Sequence, residues 1–293
     1  MSTVAIIGAG DLGGAVAQAL ASRDSVGRIL LIDTAANVAA GKALDIQQSG
    51  AVDGFRARLS ATDDLSRVTG AAACVVADRF GPPAKEWQGE DGLAMLGRLE
   101  PYLSGSPIVF AGAQQTDLML RAGRELGVHR RRLIGSAPEA FASAVRSIVA
   151  LEARCSPAEV MLAVLGTPKR HMAEAPPGSE GGWVVPWSEA SIGGYALERV
   201  LSQVQLTRIE ARAACLWPLG PYTLGAAAAV AAEALVTSSR RRLSALTLLG
   251  GELGVRNRMG ALPVLLNSHG IADVRVPTLN TRERVLVDTS LNK

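Results

Sequence analysis

The chain reads as an α/β protein built on a parallel sheet that helices cover on both faces. Three observations predict this. Short, continuous, apolar runs rich in β-branched residues recur at Thr3–Gly8, Arg28–Asp33, Ala73–Ala77, Pro107–Ala111 and Leu133–Gly135. Strands without polar alternation are strands buried on both faces. Helical stretches separate most of them, so the order implies βαβ crossovers and hence a parallel sheet. The composition agrees: 48% hydrophobic, 19% charged and only 4% aromatic residues in 293 give a large core of small side chains.

In chain order, the first strand is followed by a helix with Leu12, Ala15, Val16, Ala19 and Leu20 on one stripe, and Ala39–Gln47 is helical after the second strand. After about residue 136 the rhythm changes. A long helix is expected over Glu139–Ala153, a strand over Glu159–Leu165, and an exposed loop over Thr167–Gly182, where Pro, Gly and charge concentrate. An Ala-rich helix spans about Thr223–Val236. Strand-like segments at Ala261–Leu266 and Ala272–Val276 precede a helix near Thr281–Leu291. This predicts two domains, 1–136 and 137–293.

Bulk properties exclude several function classes. The net charge of +3 is small, and the arginine runs Arg130–Arg132 and Arg240–Arg242 read as solvated loop or helix-end charges. Few aromatics and no broad basic face argue against a nucleic-acid partner. Cys74, Cys155 and Cys215 are odd in number and widely spaced, so neither a disulfide framework nor a metal site is indicated, and each is expected to be a small buried hydrophobe. Leu224–Val236 is too short to span a bilayer and contains Glu233. A strand by residue 3 leaves no room for a signal core, so a cytoplasmic protein without a membrane partner is expected.

The chemistry-bearing motif is Gly8-Ala9-Gly10-Asp11-Leu12-Gly13, a G-x-G-x-x-G between a strand and a helix. The first glycine permits the tight turn, the second lets the backbone approach a pyrophosphate, and the third allows close helix–strand packing. The phosphates would sit on the free N–H groups at the helix start. Asp33 ends the next strand, about 20 residues beyond, where a carboxylate accepts hydrogen bonds from ribose hydroxyls and repels a 2′-phosphate. A Rossmann domain binding NAD is the expectation, with Gly8, Gly10, Asp11, Leu12, Gly13 and Asp33 as cofactor-binding residues.

Beyond the fingerprint, several segments resemble the lactate/malate dehydrogenase family over nearly the whole chain. They are VAIIGAGDLGGAVAQAL (4–20), LLIDT (30–34), GKALDIQQS (41–49), RRLIGS (131–136), SPAEVMLAVLG (156–166), VPWSEASIGG (185–194) and PVLLNSHGIADV (263–274). The resemblance implies a doubly wound Rossmann sheet plus a C-terminal α+β domain, a homodimer or homotetramer, and NAD-linked 2-hydroxyacid chemistry. It also implies helices near Lys42–Gln47 and Thr223–Val236 at a dimer interface.

That chemistry needs a histidine to exchange the hydroxyl proton, an aspartate to orient it, and an arginine to hold a carboxylate bidentately. Each position is replaced. The family's asparagine-leucine-aspartate-x-x-arginine falls on Glu139–Ala144, so the aspartate is Phe141 and the arginine Ala144. Arg146 lies two positions further, roughly 200° around a helix. The family's Gly-x-His falls on Gly166-Thr167-Pro168. Its arginine-bearing loop is PPAKEWQGEDG (82–92), where the loop arginine becomes Gly89 or Glu90, and its asparagine becomes Gln114-Gln115. The small residues after the third recognised strand become Asp78-Arg79-Phe80, while Thr223 keeps a pocket-edge position.

His171 is the remaining candidate for proton transfer, against a solvent-exposed loop histidine. His129 and His269 read as structural or exposed, and Arg79 and Lys85 are the nearby cations. Two functions stay open. One is an NAD-linked oxidoreductase with a less cationic, rebuilt pocket that does not turn over lactate or malate by the standard mechanism. The other is a non-catalytic NAD-binding protein, or a partner in a hetero-oligomer.

Overall fold

The structure, a computed structural model, describes residues 2–81, 85–168 and 182–292. The described residues form two compact units. The first comprises Met1–Ala137, Gly220–Arg242 and Leu265–Asp273; the second comprises Pro138–Leu219, Leu243–Val264 and Val274–Lys293.

The apolar runs of the first unit become strands whose side chains are mostly buried. In β1 (Thr3–Ile7), Val4, Ala5 and Ile6 have no solvent exposure. There follow α1 (Asp11–Ala21), β2 (Arg28–Ile32), α2 (Ala36–Asp53), β3 (Arg58–Thr62) and β4 (Ala73–Val76). A two-stranded hairpin, β5 (Asp78–Arg79) and β6 (Lys85–Glu86), leaves the end of β4. Next come α3 (Gly89–Leu103), β7 (Ile108–Phe110), α4 (Thr116–Arg124) and β8 (Leu133–Gly135). The main strands run parallel in the order β3-β2-β1-β4-β7-β8. This is the doubly wound order, and its direction reverses between β1 and β4, where open α/β sheets bind ligands.

The second unit is α+β. It holds α5 (Ala137–Ala153), β9 (Val160–Met161), β10 (Leu165–Gly166), β11 (Trp183–Val184), β12 (Ser191–Ile192), β13 (Tyr195–Ala196), α6 (Leu197–Val200) and α7 (Gln203–Ala213). After α8 (Pro221–Thr237) come β14 (Arg242–Gly250), β15 (Arg256–Asn267), β16 (Gly270–Val274) and α9 (Thr281–Leu291), of which Leu265–Asp273, at the end of β15 and in β16, belongs to the first unit. Strands β9, β12 and β13 form a small antiparallel sheet, and β11, β10, β15 and β14 are neighbours in that order. Its core gathers Phe141, Val145, Val149, Val160, Ile192 and Ile209.

Four expectations need correction. The strand expected over Glu159–Leu165 is not continuous: Pro157–Glu159 is a 3-10 turn closed by a Ser156/Glu159 capping box, and only Val160–Met161 and Leu165–Gly166 pair as strands. Strands β3 and β14 were not anticipated, since their residues lack the dense β-branched signature of β1 and β4. The second domain is not the contiguous stretch 137–293, because α8 belongs to the first unit and packs on α1. Gly225 there sits against the backbone of Ala15, so close that a Cβ would overlap it. An Ala/Gly-rich helix allows that close approach, and nothing local to its sequence says which partner it takes. Finally, Cys74 is buried as expected but Cys215 is exposed.

The arginine runs make local contacts, and Arg132 is a correction to the solvated reading, because it is largely buried against Glu100. Arg130–Arg132 form a 3-10 turn in which Arg132 grips Glu100 with two N–H groups at 2.6 and 3.2 Å, and Arg242 pairs with Asp273 at 2.6 Å. Among the described residues no helix is long and apolar enough to cross a membrane, and no His/Cys/Asp/Glu group could hold a metal ion.

Candidate functional site

The glycine loop lies where the fingerprint places it, between β1 and α1. Gly8 adopts φ +107°, and its N–H donates to the Ile32 carbonyl at 2.7 Å. A Cβ at Gly13 would overlap the Gly8 carbonyl, so the third glycine does allow helix and strand to close on each other. Leu12 is buried, Asp11 is exposed in the first turn of α1, and Lys42 from α2 donates to the Gly10 carbonyl at 2.6 Å.

The occupant of this loop is a side chain that sequence reasoning missed. Asp78, the residue two past β4, turns its carboxylate onto the start of α1. Its Oδ1 accepts the Gly13 N–H at 2.8 Å and its Oδ2 the Leu12 N–H at 3.1 Å. Its carbonyl accepts the Gly10 N–H at 3.1 Å. A Cβ on Gly8 would overlap the Asp78 backbone, and one on Gly10 would overlap the Asp78 carboxyl group. The first two glycines therefore make room for Asp78. Asp78 is 5% exposed; burial raises its carboxyl above the ordinary carboxylate range, opposed by the Gly13 and Leu12 N–H groups and by the charge of Lys42.

Asp33 is likewise committed. Its Oδ2 accepts N–H groups from Ala9 at 2.8 Å and Phe80 at 3.0 Å, and its Oδ1 accepts the Ala35 N–H at 2.9 Å. On the hairpin, Glu86 is the register partner of Asp78 and repeats its behaviour on the loop after β7. Its two oxygens accept the Ala113 N–H at 2.9 Å and the Gln114 N–H at 2.8 Å, and burial raises its carboxyl too. The buried Gln115 amide donates to the carbonyls of Ala77 and Trp87, at 3.1 and 3.2 Å. Arg79 lies over the Trp87 ring, 5.1 Å from its centroid, and pairs with Asp91 at 3.3 Å; Lys85 is exposed.

In the second unit, Phe141 is buried in the core with its ring 6.3 Å from that of Trp183. Ala144 is half-buried on α5. Arg146 is directed at Glu139, seven residues back on the same helix face, and the two form a largely buried ion pair. Glu139 also accepts the Ser244 N–H at 2.9 Å. Beside half-buried Pro168, Thr167 is fastened to α9: its N–H donates to the Ser290 hydroxyl at 2.9 Å and its own hydroxyl to the Ser290 carbonyl at 2.9 Å. His171 lies outside the described residues.

No family profile matches the chain. Whole proteins do. It is 29% identical to a malate dehydrogenase of Thioalkalivibrio sulfidiphilus over 99% of this chain and 96% of that one. A malate dehydrogenase of Salinibacter ruber is 25% identical over 98% and 93%. The solved structure of a Salinibacter ruber malate dehydrogenase superimposes with TM-score 0.82 at 23% identity, covering 98% of this chain and 93% of that one. A lactate dehydrogenase from Cryptosporidium parvum, complexed with lactic acid and nicotinamide adenine dinucleotide, does so with TM-score 0.84 at 19% identity, covering 99% and 95%. The chain is thus similar to malate dehydrogenases in sequence over nearly its whole length, and it shares the fold of malate and lactate dehydrogenases.

Two of the positions read as replaced in the sequence have a visible structural use. Phe141, which the sequence reading sets at the orienting aspartate's position, packs in the core. Arg146, the cation nearest the lost arginine in sequence, is neutralised by Glu139, as an i, i+7 spacing on one helix face allows. Gln115, one of the two residues read at the asparagine's position, Gln114-Gln115, braces the hairpin. His129 accepts the Arg131 N–H at 3.3 Å as a turn cap, and His269 is exposed, both in line with the sequence reading. Glu86 was legible in sequence only as part of a charged loop.

Proposed function

We propose that this lactate/malate dehydrogenase-like protein binds NAD through its first unit and does not interconvert lactate or malate by the family's acid–base mechanism. Gly8, Gly10, Asp11, Leu12, Gly13 and Asp33 are the residues proposed to meet the dinucleotide. Support comes from the doubly wound sheet, the glycine geometry and relatives such as the Cryptosporidium parvum lactate dehydrogenase, solved with that dinucleotide. A pyrophosphate does not fit the described arrangement as it stands, because the Leu12 and Gly13 N–H groups are held by Asp78.

The observation that carries the loss of standard turnover is the state of α5. Phe141 and Ala144 stand at the aspartate and arginine positions, and the neighbouring cation is spent on Glu139. Losing a general base alone costs about 10²–10⁴ in rate. Losing the bidentate clamp as well removes the group that would hold a substrate carboxylate. The pocket this leaves is less cationic and suits an uncharged substrate. A second reading, a non-catalytic homologue or hetero-oligomer partner, draws support from the carboxylate lodged in the glycine loop. Family resemblance further supports a cytoplasmic homodimer or homotetramer.

Titration of NAD and NADH, followed by nicotinamide fluorescence and thermal stability, tests the shared part, since a ligand of the folded state raises Tm. A panel of pyruvate, oxaloacetate, aldehydes and ketones with NADH tests the rest. Binding without turnover of pyruvate or oxaloacetate is expected. Turnover of either, abolished by His171→Ala, would overturn the proposal and assign His171 the proton transfer.

A further inference from the structure

We infer that the crevice at the head of the parallel sheet is closed from within: the β5–β6 hairpin sets two carboxylates where an anionic dinucleotide would bind, and a dinucleotide enters only by displacing it. This rests on the dinucleotide reading above and names what regulates that site.

The hairpin springs from the end of β4, beside the point where the strand order reverses. A carboxylate on the N–H groups of a helix start satisfies them as a phosphate does, with the same sign of charge and the same donors. Asp78 makes two such bonds, to Leu12 and Gly13. The helix start is not the only place taken. Asp33, the expected ribose acceptor, is held by the Phe80 N–H, one residue beyond β5. On the other strand of the hairpin, Glu86 takes the Ala113 and Gln114 N–H groups of the loop after β7. Gly10 and Gly112 both lack room for a Cβ because these carboxylates fill it. One short hairpin thus occupies the donors at α1 and after β7 together with the acceptor just past β2.

It is also fastened in place. The Trp87 N–H donates to the Ala77 carbonyl at 3.2 Å, Gln115 bridges the Ala77 and Trp87 carbonyls, and Arg79 stacks on Trp87. Displacement must break these contacts. A site open for only a fraction of the time binds its ligand more weakly by that fraction.

The test is calorimetry of NADH, with ADP as a second probe, on the full chain and on Asp78→Ser, Glu86→Gln and the double variant. The single variants should bind NADH at least about tenfold more tightly than the parent, as expected if the open form is populated at about one part in ten or less. Parent and variants binding within about twofold of one another would overturn the inference and leave the dinucleotide reading intact. No binding of either probe to any of them would overturn both. Should Asp78→Ser not fold, Glu86→Gln carries the comparison, because it loosens the hairpin without touching α1. Hydrogen exchange in the parent gives an independent readout. Saturating NADH should speed exchange at the Phe80 and Trp87 amides while Leu12 and Gly13 stay protected. Unchanged Phe80 and Trp87 exchange with NADH bound would sink the inference.

Discussion

The starts of α1 and α5 differ in how they depart from their relatives. At α1 every motif residue is retained, yet the backbone donators they create are taken by Asp78. At α5 the motif residues are gone, and the positions are absorbed into packing and an ion pair. Keeping a motif is therefore not the same as keeping a vacant site. A glycine fingerprint describes the space a backbone leaves, and any group of suitable size and charge fills it. A catalytic helix motif describes the side chains themselves.

The largest expected effect comes from forcing the family's residue back into α5. Phe141→Asp places an unpaired carboxylate in the core of the second unit and removes a ring that packs on Trp183. It should cost at least about 4 kcal/mol in urea unfolding. Tolerance of the substitution would mean that this helix face still accepts an orienting acid, and the contrast with α1 would break.

Next is Glu139→Ala, which strands the Arg146 guanidinium in a largely buried setting and deprives the Ser244 N–H of an acceptor. A loss of about 3–5 kcal/mol is expected, with partial recovery in the Glu139→Ala/Arg146→Ala double variant, read by the same denaturation cycle. A loss that the second substitution only deepens would show that Arg146 has work other than pairing with Glu139.

Gly10→Ala sharpens the comparison at α1. Its methyl group would overlap the Asp78 carboxyl, so the protein without ligand should lose about 1–3 kcal/mol. Asp78→Gly in the same chain should restore most of that. A Gly10→Ala protein as stable as its parent would show that the carboxylate yields at little cost.

The smallest effect is on pH dependence. Burial raises the Asp78 carboxyl above its ordinary value of 3.8, so the folded protein holds that proton more tightly than the unfolded chain. This contribution to stability is greatest below the unfolded value. It declines as pH rises from there to the raised folded value, and is level above it. Asp78→Asn removes the decline. Plotted against pH from acid to neutral, the Tm difference between variant and parent should move in the variant's favour through that window, by about a kcal/mol of stability or less. An unchanged difference across the window would show that Asp78 titrates as it does unfolded.

Much of this molecule is legible in single segments. TVAIIG before GAGDLG foretells a buried strand, a tight turn and a helix, because periodicity and turn chemistry act over a few residues. Asp33 is placed by the strand it ends, and Phe141, Ala144 and Pro168 are read off by position. Less visible are β14, whose run from Arg242 mixes Ser and Thr with leucines, and α8, whose alanines carry no partner preference.

Sequence by itself determined the α/β class, the doubly wound first unit and the likeness to malate dehydrogenases. Tertiary structure alone decided that Asp78 rather than open space lies over Leu12 and Gly13, that Glu139 cancels Arg146, and that α8 rests on α1. The physical reason is separation along the chain. The Asp78 bonds join residues 65 and 66 positions apart, and such a pairing depends on which strand ends the folded sheet brings together.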